Sequence, residues 1–406
     1  MGATVTVGGA VGAALVAVGL VAVWLANVAV GGANTVPPHG FYVPILVAGI
    51  RFGARGAAVT SVTAGVLAGP LLPADVSTAT AQPLSDWLVR VVFFVVLGQV
   101  MTGIVALTVR ELRARLEQLQ AEHELALALE RGELFVLYQP IVSLDAQPRI
   151  VGVEALLRWR HPQRGDVLPG DFIPLAEQSG LIVSIGRWVL HEACRQAQQW
   201  RRDILRDADS FKIAVNVSTR QLNEAQFPGD VSEILAATGL PPSWLHLEVT
   251  ETALVVDIDW SAEQLQRVKQ VGVSVAVDDF GTGYASLTYV QRFPIDVIKI
   301  DRSFVATLET DPGGGAIAGG IVMLARSLGI RTVAEGVETA RQADMLRDLG
   351  CDLAQGWFFG RPKPAVDIER LLRTQQDSAY PEPTLTVAHL TDPSPSPAST
   401  ANEPRR

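Results

Sequence analysis

The sequence predicts an α/β fold over residues 131–375, a (β/α)8 TIM-barrel variant with one antiparallel strand, preceded by an all-α transmembrane region. Three observations predict it. Charge is partitioned: residues 1–109 hold only Arg51, Arg55, Arg90, Asp75 and Asp86, and 30 of the 33 basic and 40 of the 42 acidic residues follow. Beyond residue 131, short β-rich runs alternate with helical stretches, the pattern of a barrel wrapped in helices. The link between the first two runs, residues 143–149, is too short for a parallel crossover of about a dozen residues, so one strand is reversed.

Taken in chain order, residues 4–30 are an uncharged apolar run long enough to cross a bilayer, which needs about 20 residues. No basic segment precedes it and further apolar runs follow, so it reads as a span rather than a cleaved signal. Residues 36–53, 56–73 and 86–109 are three further candidates, about four spans in all. Pro37, Pro38 and Pro44 interrupt the first of these three, where a re-entrant segment is the alternative. Arg90, near the start of the last span, is expected to snorkel. An even count puts Arg51 and Arg55 on the side of Arg110, Arg113 and Arg115, and the positive-inside rule makes that side cytoplasmic. The expected location is the cell inner membrane, multi-pass, with the catalytic domain in the cytoplasm.

Residues 110–130 read as a connector helix. Leu112, Leu116 and Leu119 follow four-three spacing, and Glu111 can pair with Arg115. A short parallel coiled coil, hence a homodimer, and a plain amphipathic linker are both open. Residues 376–406 are rich in Pro, Ser and Thr and read as a disordered tail. The net charge of −9 excludes a duplex nucleic-acid surface, which needs a basic footprint. Cys194 and Cys351, far apart, suggest neither a disulfide framework nor a zinc site.

Strands are expected at 134–142, 150–156, 211–217, 244–249, 272–278, 296–300, 331–334 and 352–357, and helices at 171–178, 184–204, 231–238, 260–270, 284–291, 314–328, 338–349 and 365–374. Polar residues mark the strand ends: Glu154, Asn216, Glu248 with Glu251, Asp278 with Asp279, Lys299 with Asp301, Glu335 and Gln355. The C-terminal ends of barrel strands form the active-site rim. Carboxylates with an amide oxygen, and no His or Cys, suit hard cations such as Mg²⁺ or Mn²⁺. Paired Asp278-Asp279 would let one carboxylate bridge two ions about 4 Å apart, an arrangement for displacement at phosphorus.

These residues fall in a known order. Glu154-Ala155-Leu156 with Arg158-Trp159 resembles the signature of EAL-domain cyclic di-GMP phosphodiesterases. So do Tyr138-Gln139-Pro140-Ile141, Asn216-Val217-Ser218, Leu247-Glu248-Val249-Thr250-Glu251, Asp278-Asp279-Phe280-Gly281-Thr282-Gly283-Tyr284, Lys299-Ile300-Asp301, Glu335-Gly336-Val337-Glu338 and Gln355-Gly356. The resemblance covers nearly all of residues 131–375. It implies a membrane-anchored enzyme that hydrolyses cyclic di-GMP to linear pGpG with two Mg²⁺ or Mn²⁺ ions. Glu154, Asn216, Glu248 and Asp278 would hold the first ion, with Asp278 bridging and Asp279 on the second. Glu335 would be the candidate general base, and Lys299 would orient the attacking water. Glu251 would hold the loop from Asp278 to Tyr284. Gln139, Arg158, Asp301 and Gln355 would meet the substrate or support its site. By the residues alone, Asp301 also suits a helix cap, Glu338 a helix N-terminal carboxylate, and Trp159, Trp188, Trp200 and Trp357 packing. Ala285 stands where the family often has serine. A barrel that binds cyclic di-GMP without cutting it would lack carboxylates that are all present here. A partner-docking receptor is the other rival, and no Gly-Gly-Asp-Glu-Phe-like cyclase motif occurs.

Overall fold

A computed structural model describes residues 2–33, 39–205, 211–281, 292–310 and 312–377. The chain forms two compact units, Met1–Gln120 and Ala121–Arg406.

In the first unit three helices are long and apolar enough to cross a membrane: Gly9–Ala29, His39–Ala68 and Leu84–Glu130. The second and third of the four expected spans are the two arms of one helix, α2 (Tyr42–Ala68), which follows α1 (Gly2–Ala29). The arms meet at Gly53, whose φ of 68° and ψ of −162° break the helix and favour glycine. A Cβ on Gly56 would lie 2.9 Å from the carbonyl oxygen of Ala48; a straight helix separates residues eight apart by about 12 Å. The chain therefore doubles back. The first arm runs in the direction of α3 (Leu84–Glu130): Tyr42 packs edge-on against Phe94, Ile45 reaches Gly98 and Gly49 meets Thr102. The second arm runs against it, with Gln99 Nε2 donating to Ala54 O at 2.9 Å, Ser61 Oγ donating to Phe94 O at 3.0 Å, and Gly69 beside Trp87. The expected spans at 36–53, where a re-entrant segment was the alternative, and 56–73 thus fall on two arms joined at Gly53, a change of direction that a hydropathy window does not read. About 15 residues in the longer arm give about 22 Å, short of a 30 Å hydrocarbon core. Arg90 meets the end of the second arm: its Nη1 donates to Ala68 O at 2.7 Å and to Gln82 Oε1 at 3.0 Å.

The second unit is a closed barrel of eight strands. They are β1 (Leu134–Ser143), β2 (Ile150–His161), β4 (Lys212–Val217), β5 (Leu245–Thr250), β6 (Ser274–Phe280), β7 (Val297–Ile300), β8 (Arg331–Ala334) and β9 (Leu353–Ala354). A short β3 (Gly165–Val167) extends β2 as a hairpin. The order is β1-β9-β8-β7-β6-β5-β4-β2-β3, and β1 pairs with β2 to close the ring. β1 is antiparallel to both neighbours, to β2 as the short link between them requires, and the remaining ring pairs are parallel. Helices pack outside, among them α4 (Leu181–Asp203), α5 (Phe227–Thr238) and α6 (Ile258–Val271). Trp159 and Trp200 are buried there, in the packing role expected of them. The connector belongs to α3, and its final turns bury Leu125 and Ala128 in the barrel core. Both cysteines are free and buried. The expected helix at 284–291 and most of the expected tail, from residue 378, lie outside the described residues.

Candidate functional site

Strand periodicity builds the site in two layers. Ile141, Ala214, Ala276, Val297 and Val333 face inward and form an apolar floor with Leu353. Side chains two residues apart share a face, about 7 Å further along the strand. Two steps up from that floor stand Asn216, Asp278, Lys299, Glu335 and Gln355, and two steps back on the reversed β1 stands Gln139. Glu154 and Glu248 join this layer by register, Glu154 opposite Gln139 and Glu248 opposite Asn216. Apolar residues below and carboxylates above are what the inward-facing positions of these strands dictate.

Lys299 is the centre of the layer. Its side chain is 1% exposed, and its Nζ lies 2.8 Å from Glu248 Oε2, 3.2 Å from Asp278 Oδ2, 2.5 Å from Glu335 Oε1 and 3.9 Å from Glu154 Oε2. Burial opposes its charge, but the four carboxylates outweigh burial and hold its pKa well above the usual lysine range. Burial pushes Glu248 well up, with Glu154 and Asp278 adding to the rise. It lifts Glu335 to about 7. Burial also acts to raise Glu154, yet Lys299 and hydrogen bonds from Gln355 and Asn216 prevail and lower it. A relay links these groups: Gln355 Nε2 donates to Glu154 Oε2 at 2.6 Å and to Gln139 Oε1 at 3.0 Å, and Asn216 Nδ2 donates to Glu154 Oε1 at 2.6 Å. Gln355 Oε1 is buried without a partner among the described residues.

Asp279 breaks the alternation. Its φ of 54° is in the left-handed region, which Asp tolerates better than most residues and which often marks functional sites. The twist places Asp279 beside Asp278, and carboxylate oxygens of Asp278, Asp279 and Glu335 lie within 4.8 Å of one another, a group that could hold a metal ion. Burial, then the neighbouring Asp278, raises the Asp279 pKa. Above the layer opens a cavity of about 520 Å³, lined in part by Gln139, Glu154, Asp278, Lys299, Glu335 and Gln355.

The EAL domain family matches residues 122–362. The chain belongs to the EAL domain family. It is 48% identical over 252 residues to the bifunctional diguanylate cyclase/cyclic di-GMP phosphodiesterase MucR of Pseudomonas aeruginosa, covering 62% of this chain and 36% of MucR. It is 41% identical over 265 residues to the cyclic di-GMP phosphodiesterase NbdA of the same organism, covering 65% of this chain and 33% of NbdA. It thus spans about a third of the length of these relatives. A solved structure of the PaMucR phosphodiesterase in complex with c-di-GMP is 46% identical, with a TM-score of 0.58 over 61% of this chain and 99% of that one.

The EAL barrel brings together most residues expected at its site. Glu154, Asn216, Glu248, Asp278, Asp279, Lys299, Glu335, Gln139 and Gln355 converge on the inward layer or its rim. Glu251 directly follows β5, and its Oε2 accepts the Gly281 N–H at 3.0 Å, fixing the backbone just beyond Asp279. Two expectations shift. Asp301 does not line the cavity: its Oδ1 accepts the Ser303 N–H at 3.0 Å and caps helix α7 (Arg302–Ala306), while its charge bears on Asp279. Arg158 is half-buried, its Nη1 donates to Leu157 O at 2.7 Å, and it does not line the cavity, although burial lowers its pKa and the charge of Glu154 opposes that. Four lining residues were missed or misread. Arg302 and Ser303 follow the Lys299-Ile300-Asp301 strand end and carry no periodic signal. Trp357, read as packing, is 56% exposed at the cavity rim. Glu338 lines the cavity too, rather than serving only the helix that follows it.

Proposed function

We propose that this chain is a membrane-anchored phosphodiesterase that hydrolyses cyclic di-GMP to linear pGpG with two Mg²⁺ or Mn²⁺ ions. The acid layer carries the reading. Glu154, Glu248, Asp278, Asp279 and Glu335 set five carboxylates against the one ammonium of Lys299, a net charge of four that two divalent cations balance. The donor set of carboxylates and amide oxygens, with no His or Cys, fits hard cations. Glu154, Asn216, Glu248 and Asp278 would hold one ion, and Asp278, Asp279 and Glu335 the other. Bound there, the ions supply charge for an in-line displacement at phosphorus. Lys299 offsets charge that develops on the phosphoryl oxygens and orients the attacking water. Glu335, beside Lys299 in the acid layer, takes the proton of that water. Gln355 fixes Glu154 while its free Oε1 turns to the water network, and Gln139 lines the cleft. Arg158 reaches the phosphate once it leaves the Leu157 carbonyl.

The membrane unit anchors and regulates the barrel. Arg51 and Arg55 flank the Gly53 turn, and Arg110, Arg113 and Arg115 follow the apolar stretch of α3; the positive-inside rule puts both groups, and the barrel, in the cytoplasm. Leu112, Leu116 and Leu119 are 58%, 52% and 56% exposed, a stripe for a parallel coiled coil between two copies. A fully active monomer in sedimentation of the detergent-solubilised protein would remove the dimer.

The test is turnover of cyclic di-GMP by the full chain in detergent with Mg²⁺ or Mn²⁺, beside Glu154→Ala. Formation of pGpG that vanishes in the variant supports the reading. Tight binding with no cleavage under either metal overturns it in favour of a sensor.

A further inference from the structure

The carboxylate layer accounts for one phosphodiester. A cyclic dinucleotide also carries two bases, and carboxylates offer no stacking face to a base. Trp357 is the one aromatic ring among the described residues lining the cavity. The turn that carries it is fixed on both sides: Val337 N–H donates to Gln355 O at 3.1 Å, and Phe358 N–H donates to Val337 O at 3.0 Å. Gly356 lies so close that a Cβ there would sit 2.1 Å from Val337 O. The indole is therefore held at the rim by a rigid turn while more than half of it stays exposed. Arg361 Cζ lies 4.6 Å from the ring centroid, so a cation covers one face.

Arg302 lines the same cavity and is exposed. Lys299 is surrounded by carboxylates, but the Arg302 guanidinium has no ion-pair or hydrogen-bond partner among the described residues. Arginine forms paired hydrogen bonds to O6 and N7 of guanine, and adenine presents a donor where guanine has O6.

We propose that Trp357 and Arg302 form a guanine subsite for the nucleotide away from the cut phosphodiester, the indole stacking the base and the guanidinium donating to its O6 and N7. The subsite rests on the phosphodiesterase reading and adds the basis of its selectivity. Loss of an aromatic platform under a base weakens binding roughly 5- to 150-fold.

Two measurements on the full chain in detergent test it. Steady-state kinetics with Mg²⁺ and cyclic di-GMP compare wild type with Trp357→Ala, Trp357→Phe and Arg302→Ala. Calorimetry of cyclic di-GMP and cyclic di-AMP binding, with Mg²⁺ in a Glu335→Gln background that slows turnover, gives affinity without chemistry. Trp357→Ala is expected to raise KM and Kd about tenfold or more while kcat moves far less, and Trp357→Phe to stay near wild type. Arg302→Ala is expected to narrow the preference for cyclic di-GMP over cyclic di-AMP. Unchanged KM and Kd in Trp357→Ala, or an unchanged base preference in Arg302→Ala, overturns the subsite while the activity stands. A wild type that neither binds nor cleaves cyclic di-GMP removes the activity and the subsite together. Should Trp357→Ala fail to fold, Arg302→Ala decides.

Discussion

Without metal, the site balances on Lys299, so Lys299→Met is the sharpest perturbation. Four carboxylates converge on an ammonium that is 1% exposed. Removing one partner of a buried ion pair costs about 3–5 kcal/mol. Glu248 and Glu335 already hold raised pKa values and can take up protons, which keeps the loss near the lower end. At about 3 kcal/mol, and about 2–4 °C per kcal/mol for a domain of this size, the variant should melt roughly 6–12 °C below wild type in EDTA. Saturating Mg²⁺ replaces the missing positive charge, so the gap should close to about 3 °C or less while turnover stays lost. Thermal melts of the full chain in detergent, followed by circular dichroism with and without Mg²⁺, check both halves. Equal melting temperatures in EDTA, or an equal Mg²⁺ gain in both proteins, would refute the charge balance drawn here.

Three further outcomes follow from the same geometry. Burial raises the Glu335 pKa from 4.5 to about 7; its contribution to stability is full below pH 4.5 and is lost as pH rises through 7, by roughly 3 kcal/mol. Melting in EDTA should therefore fall across that window, and Glu335→Gln should flatten the fall. Asp279→Asn keeps a residue type that tolerates a φ of 54°, so its melting temperature should stay near wild type. Its turnover should drop by more than the roughly 10–100-fold that loss of an outer partner of a metal ligand costs. Gly356→Ala drives a methyl into the Val337 backbone and should destabilise the barrel by about 1–3 kcal/mol, visible as a lower melting temperature with the Gln355 turn displaced.

The barrel was legible because its signals are local. A strand shows its inward face every second residue, so Asn216, Asp278, Lys299 and Glu335 could be read as rim residues from their own strands. The short link at 143–149 forced the reversed β1 for the same reason, since chain length alone limits a crossover. The apolar character of residues 1–109, with helices long enough to cross a membrane, was legible from charge exclusion. Other features depend on contacts that no local pattern carries. Glu154 meets Gln355 across 201 residues and Lys299 meets Glu248 across 51, and only ring closure says that four acids share one ammonium. Trp357 sits in a run of aromatic and glycine residues with no period, so its exposure appears only once Gly356 packs on Val337. Hydropathy reported two apolar segments around Gly53 but not that they double back, because composition has no direction and one backbone torsion does. The sequence by itself determined which residues face the barrel axis, since strand alternation is a property of the backbone. The tertiary structure decided their charge states and the surface a ligand meets, because both depend on groups brought together from distant parts of the chain.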